Sequence, residues 1–195
     1  MKVLIIVDYQ YDFVSPKGDL YVPGAEDISK NIQKLIDSDF DKIIYTMDTH
    51  DSSYSKSEES KLFPEHCMFN TKGWDLYKIK PKNREIKTII ENGVFESPKD
   101  FSIENEFVFM KDKFSIWEGN KSYTKFMRTN IDKDSEIFVC GVATNYCVFQ
   151  NIVGLIDRGY KNINIVSNAV KGIPDETYKK SIQFMKSSDI NFMEV

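Results

Sequence analysis

The sequence predicts an α/β fold in which a parallel sheet carries helices on both faces. Three observations lead there. Short runs dominated by apolar residues, at 3–7, 42–47, 106–110, 137–140 and 163–166, are continuous rather than alternating, as in strands buried on both faces. Segments with apolar residues at helical spacing separate several of these runs, which gives strand–helix–strand units and therefore parallel pairing. Three of the runs stop at, or just short of, a residue able to do chemistry: Asp8, Lys111 and Cys147.

The first strand, Val3 to Val7, ends at Asp8. After the aromatic and polar stretch Tyr9 to Phe13 and the turn-rich Ser15-Pro16-Lys17-Gly18, the spacing of Ile28, Ile32, Leu35 and Ile36 predicts a helix over 25–38. A second strand over 41–47 ends at Asp48. From Thr49 to about Lys82 the chain turns polar, and so long a connection inside one domain is usually functional. A short element is expected near Glu85 to Ile90, then a turn at Pro98-Lys99-Asp100. Glu106 to Met110 reads as a strand ending at Lys111, Ser122 to Arg128 as a helix, and Ile137 to Cys140 as a strand. Tyr146 to Arg158 has a broad apolar face and is closed by Gly159. A strand at Ile163 to Val166, a helix opened by Pro174-Asp175-Glu176-Thr177 and running to about Ser187, and a last strand at Ile190 to Val195 complete the series.

With 195 residues, 41% hydrophobic and 29% charged, the chain fits one globular domain, 1–195, with an inserted loop at about 48–80. A net charge of -4 offers no basic stripe for nucleic acid. No apolar run approaches the ~20 residues of a membrane span, and the first residues read as a strand rather than a signal segment, so a cytoplasmic location is expected. Three cysteines, Cys67, Cys140 and Cys147, have no C-x-x-C spacing, which disfavours a disulfide framework. The apolar helix faces can support a homo-oligomer, a point the sequence leaves open.

Taken singly, a strand-end aspartate is commonly a turn former, a lysine a solvated group and a cysteine a small core residue. Their shared position changes this, because ligands in open α/β sheets bind beyond the carboxyl ends of the strands. A strand-to-helix junction places Cys147 at a helix N-terminus, and with Lys111 nearby its thiol is expected to fall below neutrality. Asp8 can take the thiol proton and return it to a leaving amine. The amides of Ala143 and Cys147 suit a developing oxyanion. The chain has only two histidines, His50 and His66, and both fall in the long loop. Asp48-Thr49-His50 presents two side chains to one side of a strand tip, and His66 follows sixteen residues on. Two imidazoles and a carboxylate form a common set for a divalent transition metal, with Asp51, Glu58, Glu59 and Glu65 as nearby acids. The alternative is a pair of loop histidines with solvent or capping roles.

Val7-Asp8-Tyr9-Gln10-Tyr11-Asp12-Phe13, Thr46-Met47-Asp48-Thr49-His50, Phe63-Pro64-Glu65-His66-Cys67 with Thr71-Lys72-Gly73-Trp74, Phe109-Met110-Lys111 with Phe114-Ser115, and Gly141-Val142-Ala143-Thr144-Asn145-Tyr146-Cys147-Val148 run in one order from residue 3 to about 170. In this the chain resembles the isochorismatase-like cysteine hydrolases, and within them the nicotinamidases. The resemblance implies a three-layer α/β/α sandwich with a mostly parallel central sheet and an Asp–Lys–Cys triad at Asp8, Lys111 and Cys147. It further implies a cis peptide between Val142 and Ala143 that turns the Ala143 amide into the oxyanion hole. Metal ligands are implied at Asp48, His50 and His66, with Glu59 as the fourth, since Lys56 stands where some relatives carry a histidine. Isochorismatases lack such a set, so the loop favours the nicotinamidase branch. Zinc is the first metal expected, with manganese and iron also suited to N/O ligands. Gln10, Phe13 and Trp117 are expected against the substrate, the two aromatic residues as walls for a flat ring. Two features depart from the pattern: Asp51-Ser52-Ser53-Tyr54 follows His50, and Lys113 competes with Lys111 for the triad. The implied reaction is hydrolysis of nicotinamide to nicotinate and ammonia. The competing readings are hydrolysis of another small amide or of an isochorismate-like substrate, and a metal-binding module with a silent pocket.

Overall fold

Among the described residues, seven strands pair into one sheet in the order β3-β4-β2-β1-β5-β6-β7, every neighbouring pair parallel. The computed structural model describes residues 1–82, 87–89 and 105–195. The strands are β1 (Lys2–Val7), β2 (Lys42–Asp48), β3 (Lys87–Ile89), β4 (Glu106–Lys111), β5 (Glu136–Val142), β6 (Asn162–Lys171) and β7 (Ile190–Met193). Only 87–89 of the element expected at 85–90 is described, as β3. The rest of it, and the turn expected at Pro98-Lys99-Asp100, lie outside the described residues.

The continuous apolar runs have a simple cause. Val3, Ile5 and Val7 of central β1 point into one core, with Phe107, Phe109, Ile137 and Val139. Leu4 and Ile6 point into the other, with Tyr45, Val108, Cys140 and Val142. The first core is closed by α3 (Ile116–Gly119), α4 (Lys121–Asn130), α5 (Cys147–Asp157) and α6 (Glu176–Ser187), through residues such as Trp117, Phe126, Ile152 and Met185. The second is closed by α1 (Tyr11–Val14) and α2 (Ser29–Asp37), through Phe13, Ile32 and Ile36. Each large apolar side chain removed from water on either face contributes roughly 1.5–3 kcal/mol.

Helix ends follow local chemistry. The Asn120 side chain accepts from the Tyr123 amide at 2.8 Å and opens α4; Asp175 does the same for Tyr178 at 2.9 Å and opens α6. Gly159, at φ +76°, ends α5 in the left-handed region. The helix expected over 25–38 is divided, with a 3₁₀ turn at Ala25–Ile28 leading into α2. β6 runs beyond its apolar stretch because it re-pairs with β5 after a register shift, Gly141 opposite Val170 and Val142 opposite Lys171.

Candidate active site

The catalytic-type side chains meet because of strand register. The β2–β4 ladder pairs Asp48 directly with Lys111, and β1 lies on the other side of β2. Beyond Val7 the backbone turns at Asp8, whose φ of +46° is tolerated by aspartate better than by most residues. The Thr46 hydroxyl donates to Asp8 Oδ1 at 2.6 Å and fixes the carboxylate. The outcome is one buried ammonium facing three groups. Lys111 Nζ lies 2.8 Å from Asp8 Oδ2, 3.0 Å from Asp48 Oδ1 and 3.5 Å from Cys147 Sγ. Lys113 is exposed, so Lys111 is the lysine at this point.

Cys147 begins α5, and the turn before it follows a cis Val142–Ala143 peptide. The Thr144, Tyr146 and Val148 amides are bonded to Lys171 O and Ala143 O, while Ala143 and Cys147 both line the adjoining cavity. Burial pushes Cys147 up; Lys111 opposes this, and Asp8 and Asp48 add to it, so the net direction is well above an ordinary cysteine. Burial thus outweighs the lowering that Lys111 gives, and the ammonium is also shared with two carboxylates. Burial works against the charge on Lys111, yet Asp48 and Asp8 outweigh it and raise the lysine. Burial likewise opposes ionisation of Asp48, but Lys111 and the two histidines hold it well below the usual range.

Asp48 also faces the second cluster. Its Oδ2 lies 3.1 Å from His50 Nε2 and 3.2 Å from His66 Nε2. Glu59 completes the set, 3.9 Å from His50 and 3.7 Å from His66. The ligand atoms of Asp48, His50, Glu59 and His66 all lie within 4.8 Å of one another. A tetrahedral ion with bonds near 2.1 Å needs donors about 3.4 Å apart, close to these separations. The tautomer fits as well. His66 Nδ1 donates to the Pro64 carbonyl at 2.8 Å, which turns the buried Nε2 toward Asp48 Oδ2 at 3.2 Å and Glu59 Oε1 at 3.7 Å. Asp51, Glu58, Glu65 and Lys56 are exposed and outside the cluster. Tyr54, which the sequence offered only as part of the segment after His50, sets its ring tilted against His50 at 4.5 Å and edge-on to His66 at 5.4 Å.

A small cavity of about 40 Å³ joins the two clusters. Asp48, Glu59, His66, Ala143 and Cys147 supply its polar groups, and Phe13, Phe63, Phe114 and Tyr146 its aromatic walls. Phe13 is thus where it was expected. Gln10 and Trp117 are not. Gln10 is fully buried with its amide spent on backbone groups, and Trp117 lies in the core, its indole donating to Asn151 O at 3.0 Å. Sequence reading missed Phe63, Phe114 and Tyr146 as walls, although all three sit inside the motif stretches that carry the polar residues.

The Isochorismatase domain matches residues 96–194, half of the chain. The chain belongs to the isochorismatase family. Within it, the nicotinamidase of Saccharomyces cerevisiae is 27% identical over the full length of both chains. The nicotinamidase of Schizosaccharomyces pombe is 29% identical over 96% of this chain and 90% of its own. Among solved structures, the pyrazinamidase of Pyrococcus horikoshii in complex with zinc is 25% identical, covers 100% of this chain and 99% of its own, and superposes with a TM-score of 0.75. The isochorismatase fold therefore accounts for the whole described sheet.

Proposed function

We propose that this protein is a cytoplasmic amidohydrolase, one domain spanning the chain, that converts nicotinamide and water to nicotinate and ammonia. The observation that carries the reading is the Lys111 ammonium held at 2.8 Å from Asp8 and 3.5 Å from Cys147 beside an aromatic-walled cavity. Full-length similarity to two enzymes named nicotinamidase supports the substrate.

In this reading Cys147 Sγ attacks the carboxamide carbon while its proton passes to Asp8, so the buried thiol ionises only as the carbon–sulfur bond forms. Lys111 stays cationic and stabilises the developing thiolate. The Ala143 and Cys147 amides receive the charge that builds on the carbonyl oxygen. Collapse breaks the carbon–nitrogen bond as Asp8 gives its proton to the departing NH2 group, which leaves as ammonia, and a thioester remains on Cys147. Asp8 then removes a proton from water, which opens the thioester, releases the carboxylate and restores the thiol. Asp48, His50, Glu59 and His66 would hold a divalent ion, zinc first, which would supply Lewis-acid chemistry to the bound ring. Phe13, Phe63, Phe114 and Tyr146 hold the flat ring and exclude water.

The test is ammonia release from nicotinamide by the metal-loaded protein, run beside a panel of other small amides. Turnover of nicotinamide at kcat/KM of at least about 10⁴ M⁻¹s⁻¹ is expected. Efficient hydrolysis of another amide with none of nicotinamide would overturn the substrate assignment.

A further inference from the structure

Three residues of the segment after β1 alternate in position: Asp8, Gln10 and Asp12. The first faces Lys111. The other two are buried, 0% and 5% exposed, and neither lines the cavity.

Gln10 stands where the β1 backbone has already turned away, and its side chain takes over the pairing. Its Oε1 accepts from the Asp48 amide at 2.7 Å, and its Nε2 donates to the Asp48 carbonyl at 2.8 Å and to Trp74 O at 3.0 Å. One amide side chain thus satisfies both backbone groups of Asp48, as a neighbouring strand would. Because both Nε2 bonds end on carbonyls, neither a carboxylate nor a hydrocarbon can replace the amide. Asp12 acts on the other side of the metal cluster. Its Oδ2 accepts from the Cys67 amide at 2.8 Å, next to His66, and Cys67 has φ +46°. The Cys67 carbonyl in turn accepts from the His50 amide at 3.1 Å. Gly73 passes so close that a Cβ there would collide with the Asp12 carboxylate, so this acceptor is closely confined.

We infer that Gln10 and Asp12 are positioning residues, a brace that sets Asp48 and His66 at metal-binding separation before an ion arrives. The inference rests on the metal-site reading above and concerns how that site is held, not which amide is hydrolysed. The reason a brace is needed is local: His66 and Cys67 lie in an irregular loop tied to the His50 segment by short backbone bonds, His50 amide to Cys67 carbonyl and Phe69 amide to His50 carbonyl, and the Asp12 bond adds the tie from the β1 side.

The experiment measures Co²⁺ affinity, by competition with a chelator, and the visible Co²⁺ spectrum for wild type, Gln10→Glu, Asp12→Ala and Asp12→Asn, with circular dichroism to confirm folding. Gln10→Glu and Asp12→Ala are expected to bind Co²⁺ about 10–100-fold more weakly with an altered spectrum. Asp12→Asn, which keeps an acceptor oxygen, should recover part of the loss. Affinities within about threefold of wild type and unchanged spectra in the folded variants would overturn the proposal alone. A wild-type protein that binds neither Co²⁺ nor Zn²⁺ would overturn the metal reading and the brace with it. Weakened Co²⁺ binding in a protein that does not hydrolyse nicotinamide would support the brace and sink only the substrate assignment. Hydrogen exchange on the metal-free wild type tests the same point without any variant. The Asp48 and Cys67 amides should exchange at least about 100-fold more slowly than exposed loop amides such as Ser52. Protection that appears only after Co²⁺ is added would mean that the ion orders the loop, and would overturn preorganisation.

Discussion

The two clusters that share Asp48 are built in opposite ways. Asp8, Lys111 and Cys147 stand at or just beyond the ends of β1, β4 and β5, so sheet register brings them together, and their charges compensate one another within 3.5 Å. His50, Glu59 and His66 come from the long loop, hang on side-chain and backbone bonds, and turn their ligand atoms toward Asp48. In the first cluster a lysine ammonium stands between two carboxylates and a thiol, whereas the second gathers two carboxylates and two imidazoles whose ligand atoms lie within 4.8 Å of one another. Removing a member should therefore do different things on the two sides.

The largest effect is expected from Cys147→Ala. Loss of a covalent nucleophile should reduce ammonia release by about 10⁴-fold or more, while bound metal per chain stays at the wild-type value. A variant that also lost its metal would show that the two clusters are one structural unit. Asp48→Asn should strike both sides at once, because Asp48 touches Lys111 through Oδ1 and both histidines through Oδ2. Activity should fall about 10²–10³-fold and metal content should fall with it. Retention of either property would separate the clusters more sharply than the geometry does.

The same contrast explains what could be read from the sequence. Asp8, Lys111 and Cys147 were legible because each ends an apolar run, and strand ends share one edge in a parallel sheet. His50 and His66 were legible by scarcity, being the only histidines, and Glu59 by resemblance rather than by any spacing rule. The direct Asp48–Lys111 pairing was not legible, since register between strands 63 residues apart is set by the whole sheet. Nor were the cavity walls: whether an aromatic residue near a motif faces a pocket or the core depends on helix placement. Trp117 and Phe114 are three residues apart, and only Phe114 reaches the cavity. Gln10 was misread for a related reason, because an amide next to a catalytic aspartate looks like a substrate contact until the backbone groups it satisfies are seen.

Alkylation measures the charge balance around the sulfur directly. Burial, with Asp8 and Asp48 adding to it, holds the thiol protonated at neutral pH, and only the thiolate reacts with iodoacetamide. In metal-free protein the rate at Cys147, followed by peptide mass spectrometry, should climb about tenfold per pH unit from pH 7 to pH 9 with no plateau. A plateau near pH 7 would show a thiol lowered by Lys111. On the ligand side, chelation should lower the melting temperature. At an ion concentration 100 times Kd, binding contributes about 2.7 kcal/mol, or about 5–10 °C for a chain of this size. Equal melting temperatures with and without Zn²⁺ would mean that the four side chains do not hold the ion.

The smallest effect distinguishes a wall from a core residue. Trp117 is 7% exposed, packs its ring 4.7 Å from Tyr123 and 4.2 Å from the Arg158 guanidinium, and leans on Gly154. Its indole bond to Asn151 O ties α3 to α5, the helix that begins at Cys147. Trp117→Phe removes that donor and leaves a buried carbonyl short of one partner, a loss of about 1–3 kcal/mol. The melting temperature should drop by about 2–4 °C per kcal/mol. KM for nicotinamide should stay within twofold of wild type, because the residue does not reach the cavity. Phe114→Ala should reverse the pattern, raising KM about tenfold with little change in melting temperature, since its ring lines the cavity and is only half-buried. If Trp117→Phe raised KM as much as Phe114→Ala, α3 would have to approach the substrate in the working enzyme, and the division between the aromatic wall and the core behind it would fail.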